Sequence, residues 1–249
     1  MAITIKDLEA IKAKLSKRIN DRRAGLSKAE QSGKQQILVC ASTGCLSNKA
    51  LEVVQAFEKS VKLHNLQDKV EVSKTGCHGL CSQGTVVLVY PEGIFYRKVK
   101  PTDVVRIVEE HLMEGQPVKD LIWPNQLDEK KNIIPLNKTH FYKNQVKIAL
   151  KNAGVIDPEN IEEYIACDGY FALHKVLTSM KPDDVIKVIS DSQLRGRGGG
   201  GFPTGRKWAL TKQSVNKKKY VCCNADEGDP GAFMDRSILE ADPHSVIEA

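Results

Sequence analysis

The stretch Gln36-Ile-Leu-Val-Cys-Ala-Ser-Thr-Gly-Cys45 combines an apolar run of strand length with two cysteines that have four residues between them. A short apolar run bounded by polar and turn-forming residues is typical of a buried strand. Cys40 is therefore expected at the end of a strand, and Cys45 in the loop after it. A second pair, Cys77 and Cys81, has three residues between its members and follows another predicted strand. The two pairs predict a metal or redox site at the ends of two strands.

The segments around the cysteines predict an α/β domain of thioredoxin-like type. Strands and helices follow in the order β-α-β-β-β-α, which a small two-layer domain accommodates. Ser47 is expected to cap the first helix. The expected strands are 37–40, 69–73, 86–90 and 94–98, and the expected helices are 47–63 and 101–113.

Four cysteines in two pairs favour a [2Fe-2S] cluster, because two irons bridged by sulfides need four thiolates. Glycines beside them can turn backbone N–H groups toward the sulfurs; these are Gly44, Gly76, Gly79 and Gly84. Zinc remains an alternative, although zinc ribbons favour two residues between paired cysteines. A pair of disulfides is the least favoured alternative. The predicted ligands are Cys40, Cys45, Cys77 and Cys81, and His78 is not needed as a ligand.

Composition places the chain among ordinary globular proteins. It has 249 residues, of which 41% are hydrophobic and 27% charged, with a net charge of +6. No apolar run approaches the length of a membrane span, and the Lys-rich N-terminus lacks the apolar core of a signal peptide. The expectation is a cytoplasmic protein without a membrane span. Basic residues are dispersed or tied to a glycine-rich loop, so nucleic-acid binding is not predicted.

The chain is expected to divide into four parts. A narrow apolar stripe on a Lys/Arg-rich helix marks an N-terminal arm, and packing on its own chain or on a partner subunit stays open. Prolines mark a linker after the cysteine domain, and its apolar residues 121–123 suggest that it packs down. Helices are expected from Asn144 onward, at 158–166, 171–177 and 182–190. The parts are the arm 1–34, the [2Fe-2S] domain 35–114, the linker 115–143 and a second domain 144–249.

The run LRGRGGGGFPTGRKW, from Leu194 to Trp208, predicts a backbone cradle for phosphate. Its glycines can adopt positive φ, so successive N–H groups can converge on an anion. The accompanying positive charges are Arg195, Arg197, Arg206 and Lys207.

Two common phosphate loops do not fit this run. A dinucleotide fingerprint needs a strand before it, whereas residues 182–189 predict a helix. A P-loop needs Lys where Arg206 stands and a hydroxyl where Trp208 stands. A flexible linker is the structural alternative, but the large apolar residues Phe202 and Trp208 argue against it. A nucleotide or flavin loop outside these two classes is preferred.

A second motif follows the glycine loop. Residues 217–224 are expected to lead into a buried strand, and Asn224-Ala-Asp-Glu-Gly-Asp-Pro-Gly231 to form the turn at its C-terminal end. Open α/β sheets bind ligands at such ends. A plain surface turn is the alternative for this acidic run.

The runs RGRGGGGFPTGRKW and NADEGDPGAFMDR, preceded by the cysteine pattern, resemble the family of NADH-oxidising, FMN-binding subunits of respiratory complex I. The closest resemblance is to the β subunit of electron-bifurcating, NAD-dependent [FeFe] hydrogenases. It implies a thioredoxin-like [2Fe-2S] domain, a helical scaffold, and the first part of an α/β FMN- and NADH-binding domain in residues 144–249. The family's chain continues past Ala249 and carries a [4Fe-4S] cluster there.

The resemblance also implies the cofactor-binding positions. Flavin contacts fall on Gly196, Gly198, Lys207, Asn224, Asp226 and Glu227, with Arg197 beside them as a counter-charge. The nicotinamide-nucleotide side falls on Gly199, Phe202 and Asp229, with Phe202 stacking on the adenine. No catalytic side chain is expected, because the cofactors carry the chemistry.

The function implied is that of an iron-sulfur flavoprotein subunit in a hydrogenase or NADH dehydrogenase complex. Such a subunit oxidises NADH, or reduces NAD, through FMN and passes single electrons to iron-sulfur clusters. Expected partners are a small thioredoxin-like [2Fe-2S] subunit and an iron-sulfur or hydrogenase catalytic subunit, with ferredoxin as a further candidate. The 249-residue form is expected to assemble its cluster yet oxidise NADH poorly. A ferredoxin-type carrier or docking module without a working flavin site, and a zinc-stabilised nucleotide-binding adaptor, are the alternatives.

Overall fold

The computed structural model describes residues 3–24 and 34–249. They form two compact units, one from the residues up to Gly169 together with Asp229–Ala249 and the other from Tyr170–Gly228. Residues 25–33 of the predicted arm lie outside the described residues. The four-part division expected from the sequence stays a prediction.

The first unit is built on a four-stranded sheet in the order β2-β1-β3-β4. Its strands are β1 (Gln35–Cys40), β2 (Val70–Thr75), β3 (Val87–Tyr90) and β4 (Ile94–Tyr96). Strand β1 is parallel to β2 and antiparallel to β3, and Cys40 lies opposite Thr75 in the parallel register. Because parallel strands end at the same edge of a sheet, this register brings the segment after β2 beside the segment after β1.

Helices pack on this sheet in the predicted order. The helix expected at 47–63 begins later, at Ala50. The helices are α2 (Thr43–Leu46), α3 (Ala50–Leu63) and α4 (Val104–Arg106), which continues as the π-helical segment Ile107–Met113. Ser47 does not cap the long helix. Its hydroxyl donates to the carbonyl of Thr43, 3.1 Å away, because the chain around Cys45 already forms a helical turn and the long helix begins only after Lys49.

The N-terminal helix α1 (Ile5–Ala24) packs on its own chain, against α5 (Ile161–Ala166). The stripe residues Leu8, Leu15 and Ile19 are buried. Arg22 forms an ion pair with Glu163, Nη1 to Oε2 2.7 Å, and both side chains are fully buried. This contact settles the question that the stripe alone left open.

The segment after the cysteine domain packs down, as its apolar residues suggested. The backbone N–H of Trp123 donates to the carbonyl of Phe95 at 2.9 Å, and the two rings lie 5.0 Å apart. The buried side chain of Gln126 accepts from the N–H of Phe95 and donates to the carbonyl of Gly93. The segment is thereby fixed along the hairpin between β3 and β4.

Two predicted elements are wrong. The helix expected from Asn144 is replaced by turns, in which Ile148 is 81% exposed and Gly154 takes a φ of +77°. The strand expected at 217–224 is absent, and Val221 is fully exposed. An isolated strand is not stable, because its backbone groups need a neighbouring strand. The only sheet within residues 3–24 and 34–249 is β1 to β4, and none of its strands belongs to the unit that holds this segment.

The remaining helices divide between the two units. The second unit contains α6 (Phe171–Ser179), α7 (Pro182–Asp191) and α8 (Thr204–Gln213), so the helices expected at 171–177 and 182–190 are confirmed. The first unit contains α9 (Met234–Ala241) and α10 (Pro243–Glu248). In the part of the chain that the structure describes, no helix is both long and apolar enough to cross a membrane.

Candidate functional site

The four predicted ligands line one small cavity of the first unit. Cys40 ends β1, Cys45 lies in α2, and Cys77 and Cys81 follow β2. The first three are buried and Cys81 is exposed. The sheet thus unites two cysteine pairs that are distant in sequence, and it leaves one thiol facing solvent.

Glycine at two positions of the backbone around the cavity gives the sulfurs room. A Cβ on Gly44 would lie 3.2 Å from the Sγ of Cys81, and one on Gly84 would lie 3.1 Å from the Sγ of Cys45. Both distances are tighter than ordinary van der Waals contact. Four soft thiolate donors in a cradle without Cβ atoms fit the ligand set of an iron-sulfur cluster.

Hydrogen bonds to sulfur already exist at this site. The backbone N–H of Gly79 donates to the Sγ of Cys77 at 3.3 Å. Burial raises the pKa of the Cys77 thiol, and the N–H of Gly79 opposes that shift. The Cys40 thiol donates to Cys45, which raises the pKa of Cys40 and lowers that of Cys45. The contact with Cys40 favours the thiolate of Cys45, the form that binds metal, whereas the pKa values of Cys40 and Cys77 stay raised.

Helix α9 supplies a wall of the cavity that the sequence analysis missed. Arg236 lines the cavity together with the cysteines, and its guanidinium lies 4.2 Å from the ring centre of Phe233. The hydroxyl of Ser237 donates to the Phe233 carbonyl at 2.6 Å and lies beside Cys77, where it opposes the rise in that thiol's pKa. Arg236 is the last residue of the run NADEGDPGAFMDR, so its position was visible in the sequence, but the run suggested a flavin contact and not a cluster contact.

Close packing holds α9 against the cysteine loops. A Cβ on Gly76 would lie 2.2 Å from the Cα of Ala241, so only glycine allows this approach. Thr43, next to the loop of Cys45, donates a hydrogen bond to Glu240 through its hydroxyl. The buried side chain of Asn152 donates to Asp242 at 2.7 Å. Three separate contacts therefore anchor the wall.

Within the described residues, no group of three or more His, Cys, Asp or Glu side chains is placed to hold a single metal ion. A two-iron cluster distributes four thiolates over two metal atoms and needs no such convergence. His78 also lines the cavity, and burial lowers its pKa to about 3. It is neutral at physiological pH.

The glycine loop of the second unit lies between α7 and α8. Two backbone hydrogen bonds of 2.9 Å close its base, from Gly196 N–H to the Phe202 carbonyl and from Thr204 N–H to the Leu194 carbonyl. Within the loop, Gly199 has a φ of +95° and Gly201 a φ of +58°, values that favour glycine. The sequence did not show which loop positions need glycine, because the φ angles within the loop depend on the two hydrogen bonds that close it.

The predicted cofactor residues are solvent-facing. Gly196, Arg197, Gly198, Gly199, Phe202, Lys207, Asn224 and Asp226 are exposed, and Glu227 is half-buried. The guanidinium of Arg206 lies 5.8 Å from the ring centre of Phe202. The side-chain oxygen of Asn224 accepts from the N–H of Asp226. Asp229 is exposed and is the first residue of the C-terminal segment of the first unit, and the assignment of the predicted cofactor residues stays a prediction.

Two protein families match the chain. The family described as thioredoxin-like [2Fe-2S] ferredoxin matches residues 27–112. The family described as Nuo51 FMN-binding domain matches residues 189–249. The first match contains the four cysteines of the cavity, and the second contains the glycine loop, the acidic turn and α9.

Curated relatives come from two kinds of complex. The chain is 57% identical over 107 residues to HndC of Solidesulfovibrio fructosivorans, a subunit of an NADP-reducing hydrogenase, covering 43% of this chain and 21% of that protein. It is 50% identical over 101 residues to a subunit of an NADH-quinone oxidoreductase of Rhizobium meliloti, covering 41% and 24%. It is 30% identical over 223 residues to the alpha subunit of the NAD-reducing hydrogenase HoxS of Cupriavidus necator, covering 87% and 34%. The matches therefore span about a fifth to a third of the relatives' own lengths.

Proposed function

We propose that the chain belongs to the electron-input subunit of a multi-subunit, NAD-linked oxidoreductase, because residues 27–112 match the thioredoxin-like [2Fe-2S] ferredoxin family and residues 189–249 match the Nuo51 FMN-binding family. The subunit oxidises NADH, or reduces NAD, through FMN, and exchanges single electrons through the cluster. Its partners are the other iron-sulfur and catalytic subunits of a hydrogenase or NADH dehydrogenase, and it works in the cytoplasm. The electron-bifurcating type and the [4Fe-4S] cluster stay predictions.

One observation supports this proposal more than any other. The cavity of the four cysteines is completed by Arg236, which lies in the segment matched by the FMN-binding family. A ferredoxin domain that served as an independent carrier would not need a wall from a flavin-domain segment. The shared wall supports a single path between flavin and cluster.

When bound, FMN supplies the conversion between two-electron hydride chemistry and one-electron transfer, and the cluster supplies a one-electron relay. The residues of the chain have separate roles around these groups. Cys40, Cys45, Cys77 and Cys81 would hold the two irons, and Gly79 donates its N–H to a ligand sulfur. The exposed glycine loop would present backbone N–H groups to a cofactor phosphate.

The direct test is the absorption spectrum of the full-length protein purified under anaerobic conditions. Cluster bands together with flavin bands, both bleached by NADH, are the expected result. Cluster bands without flavin bands after incubation with FMN would favour the ferredoxin-type carrier instead. A protein with neither chromophore but with bound zinc would support the adaptor and overturn the proposal.

Arg236 is expected to raise the reduction potential of the cluster. Reduction adds negative charge, and a cation beside the cavity stabilises that charge. For a one-electron step, each kcal/mol of lost electrostatic stabilisation of the reduced cluster lowers the potential by about 40 mV. Arg236→Leu should therefore lower the midpoint potential by several tens of millivolts. Redox titration monitored by electron paramagnetic resonance measures this shift.

Two variants control this measurement. Arg236→Lys keeps the charge and should restore most of the potential, whereas Arg106→Leu removes an exposed arginine that pairs with Asp120 and should leave the potential unchanged. Equal potentials in wild type and Arg236→Leu would show that Arg236 does not act on the cluster.

Gly199→Ala should weaken use of NADH by the full-length protein. A side chain at a φ of +95° costs about 1–3 kcal/mol when the backbone is held there, which corresponds to a rise in KM of about 5- to 150-fold. NADH:ferricyanide activity measures it. Gly200→Ala is the matched control, because Gly200 has open space around its Cα and no positive φ. Identical KM values for both variants would contradict the assignment.

A further inference from the structure

A second cavity of the first unit carries an unusual set of charges. Its volume is about 270 Å³, and its basic lining residues are Arg22, Arg23, Lys147 and Lys151. None of the described residues that line it is an Asp or a Glu. Arg22 is neutralised by the buried carboxylate of Glu163, and among the described lining residues the other three cations have no carboxylate partner.

Two buried polar atoms on the wall of this cavity have no hydrogen-bond partner among the described residues. They are the Nε2 of His78 and the hydroxyl oxygen of Tyr142. The His78 side chain is only 9% exposed, and a Cβ on Gly154 would lie 2.1 Å from its ring, so the ring is fixed in place. Buried polar groups are nearly always hydrogen-bonded, and two such atoms in one cavity indicate a polar occupant.

Lys147 adds a half-buried positive charge to this wall. Its ammonium lies 4.9 Å from the ring centre of Tyr142, and burial lowers its pKa, an effect that negative charge on Cys77 opposes. The ion pairs of the described residues do not include Lys147. Partial burial of a cation is costly, and an anion in the cavity would offset that cost.

We propose that this cavity binds a phosphate oxyanion, with Lys147 supplying charge and Tyr142 and His78 supplying hydrogen bonds. An oxyanion accepts hydrogen bonds from an ammonium, a guanidinium and a phenol, so this class of ligand matches the donors that line the cavity. The cavity is smaller than pockets for drug-sized ligands, which favours inorganic phosphate over a nucleotide. This inference does not depend on the proposed function.

The test is isothermal titration calorimetry of the cluster-loaded 249-residue protein with inorganic phosphate, at an ionic strength held constant with sodium chloride. Saturable binding at one site is expected. Lys147→Met should weaken it at least tenfold, and Tyr142→Phe by about fivefold, as one lost hydrogen bond implies. Lys143→Met removes the same charge from an exposed residue of the same segment and should change the affinity less than twofold. A parallel titration with adenosine monophosphate distinguishes a nucleotide from the free ion as the source of the phosphate.

Three results would overturn the proposal. The first is the absence of saturable phosphate binding to the wild-type protein. The second is equal affinity in wild type, Lys147→Met and Tyr142→Phe, with each variant shown to be folded by its circular dichroism and cluster absorbance. The third is a Lys147→Met variant in which the cluster potential shifts but phosphate affinity does not, since Lys147 would then only balance charge at the cysteines.

Discussion

Replacing Cys45 or Cys77 by alanine should reduce the iron content of the protein at least tenfold. Each thiolate is one of four expected ligands, and alanine offers no oxygen that could substitute for the sulfur. Loss of groups that merely orient a ligand already costs about 10- to 100-fold in metal affinity, so loss of a ligand costs more. Iron and sulfide analysis, together with the visible absorption spectrum, measures the effect.

Cys167 provides the matched control for these two variants. Its thiol is buried, as theirs are, but it lies outside the cysteine cavity and accepts a hydrogen bond from Arg23 at 3.2 Å. Cys167→Ala should keep a full cluster. A cluster that survives in both Cys45→Ala and Cys77→Ala would show that the irons are bound elsewhere.

Glu163→Gln should destabilise the first unit by about 3–5 kcal/mol, the usual cost of breaking a buried ion pair. Arg22 would remain charged and buried, having lost the carboxylate that now lies 2.7 Å from it. Glu163 also forms an ion pair with Arg18 and accepts a hydrogen bond from the backbone N–H of Asp157, and weakening these contacts adds to the loss. The free energy of unfolding in urea measures the change.

The neighbouring residue Glu162 gives the control. It pairs with Lys14 at 3.4 Å on the surface, where both side chains are largely exposed, so Glu162→Gln should cost less than about 1 kcal/mol. The double change Arg22→Met with Glu163→Leu removes both charges and should recover much of the stability that Glu163→Gln loses. Equal stability of Glu162→Gln and Glu163→Gln would contradict the importance of the buried pair.

The thioredoxin-like domain could be predicted because its signals are local. Apolar runs gave the strands, and cysteines at two strand ends indicated where a cluster belongs; the fold class and the [2Fe-2S] and FMN-binding domains are confirmed. The resemblance to FMN-binding subunits is confirmed by the same matches. The assignment of individual ligands stays a prediction, although the sheet does bring the four cysteines to one cavity.

The parts that could not be predicted depend on distant contacts. An apolar stripe on α1 does not show which surface covers it. The contact that identifies this surface joins Arg22 to Glu163, which are 141 residues apart. Val146 and Ile148 belong to a run expected to be helical but are exposed, and turns replace the helix in this segment. Residues 217–224 have strand composition, yet composition does not supply a neighbouring strand. Arg236 belongs to a run that was interpreted as flavin-binding, so its position beside the cysteines was not predicted.

The placement of α9 also has a consequence for biosynthesis. The contact between Thr43 and Glu240 joins residues 197 positions apart, and chains emerge from the ribosome from the N-terminus at about 5–20 residues per second. All four thiols therefore leave the ribosome well before Arg236 and Ser237 do. Throughout that interval the cysteine cavity lacks its last wall, so the wall can close only after α9 has been synthesised.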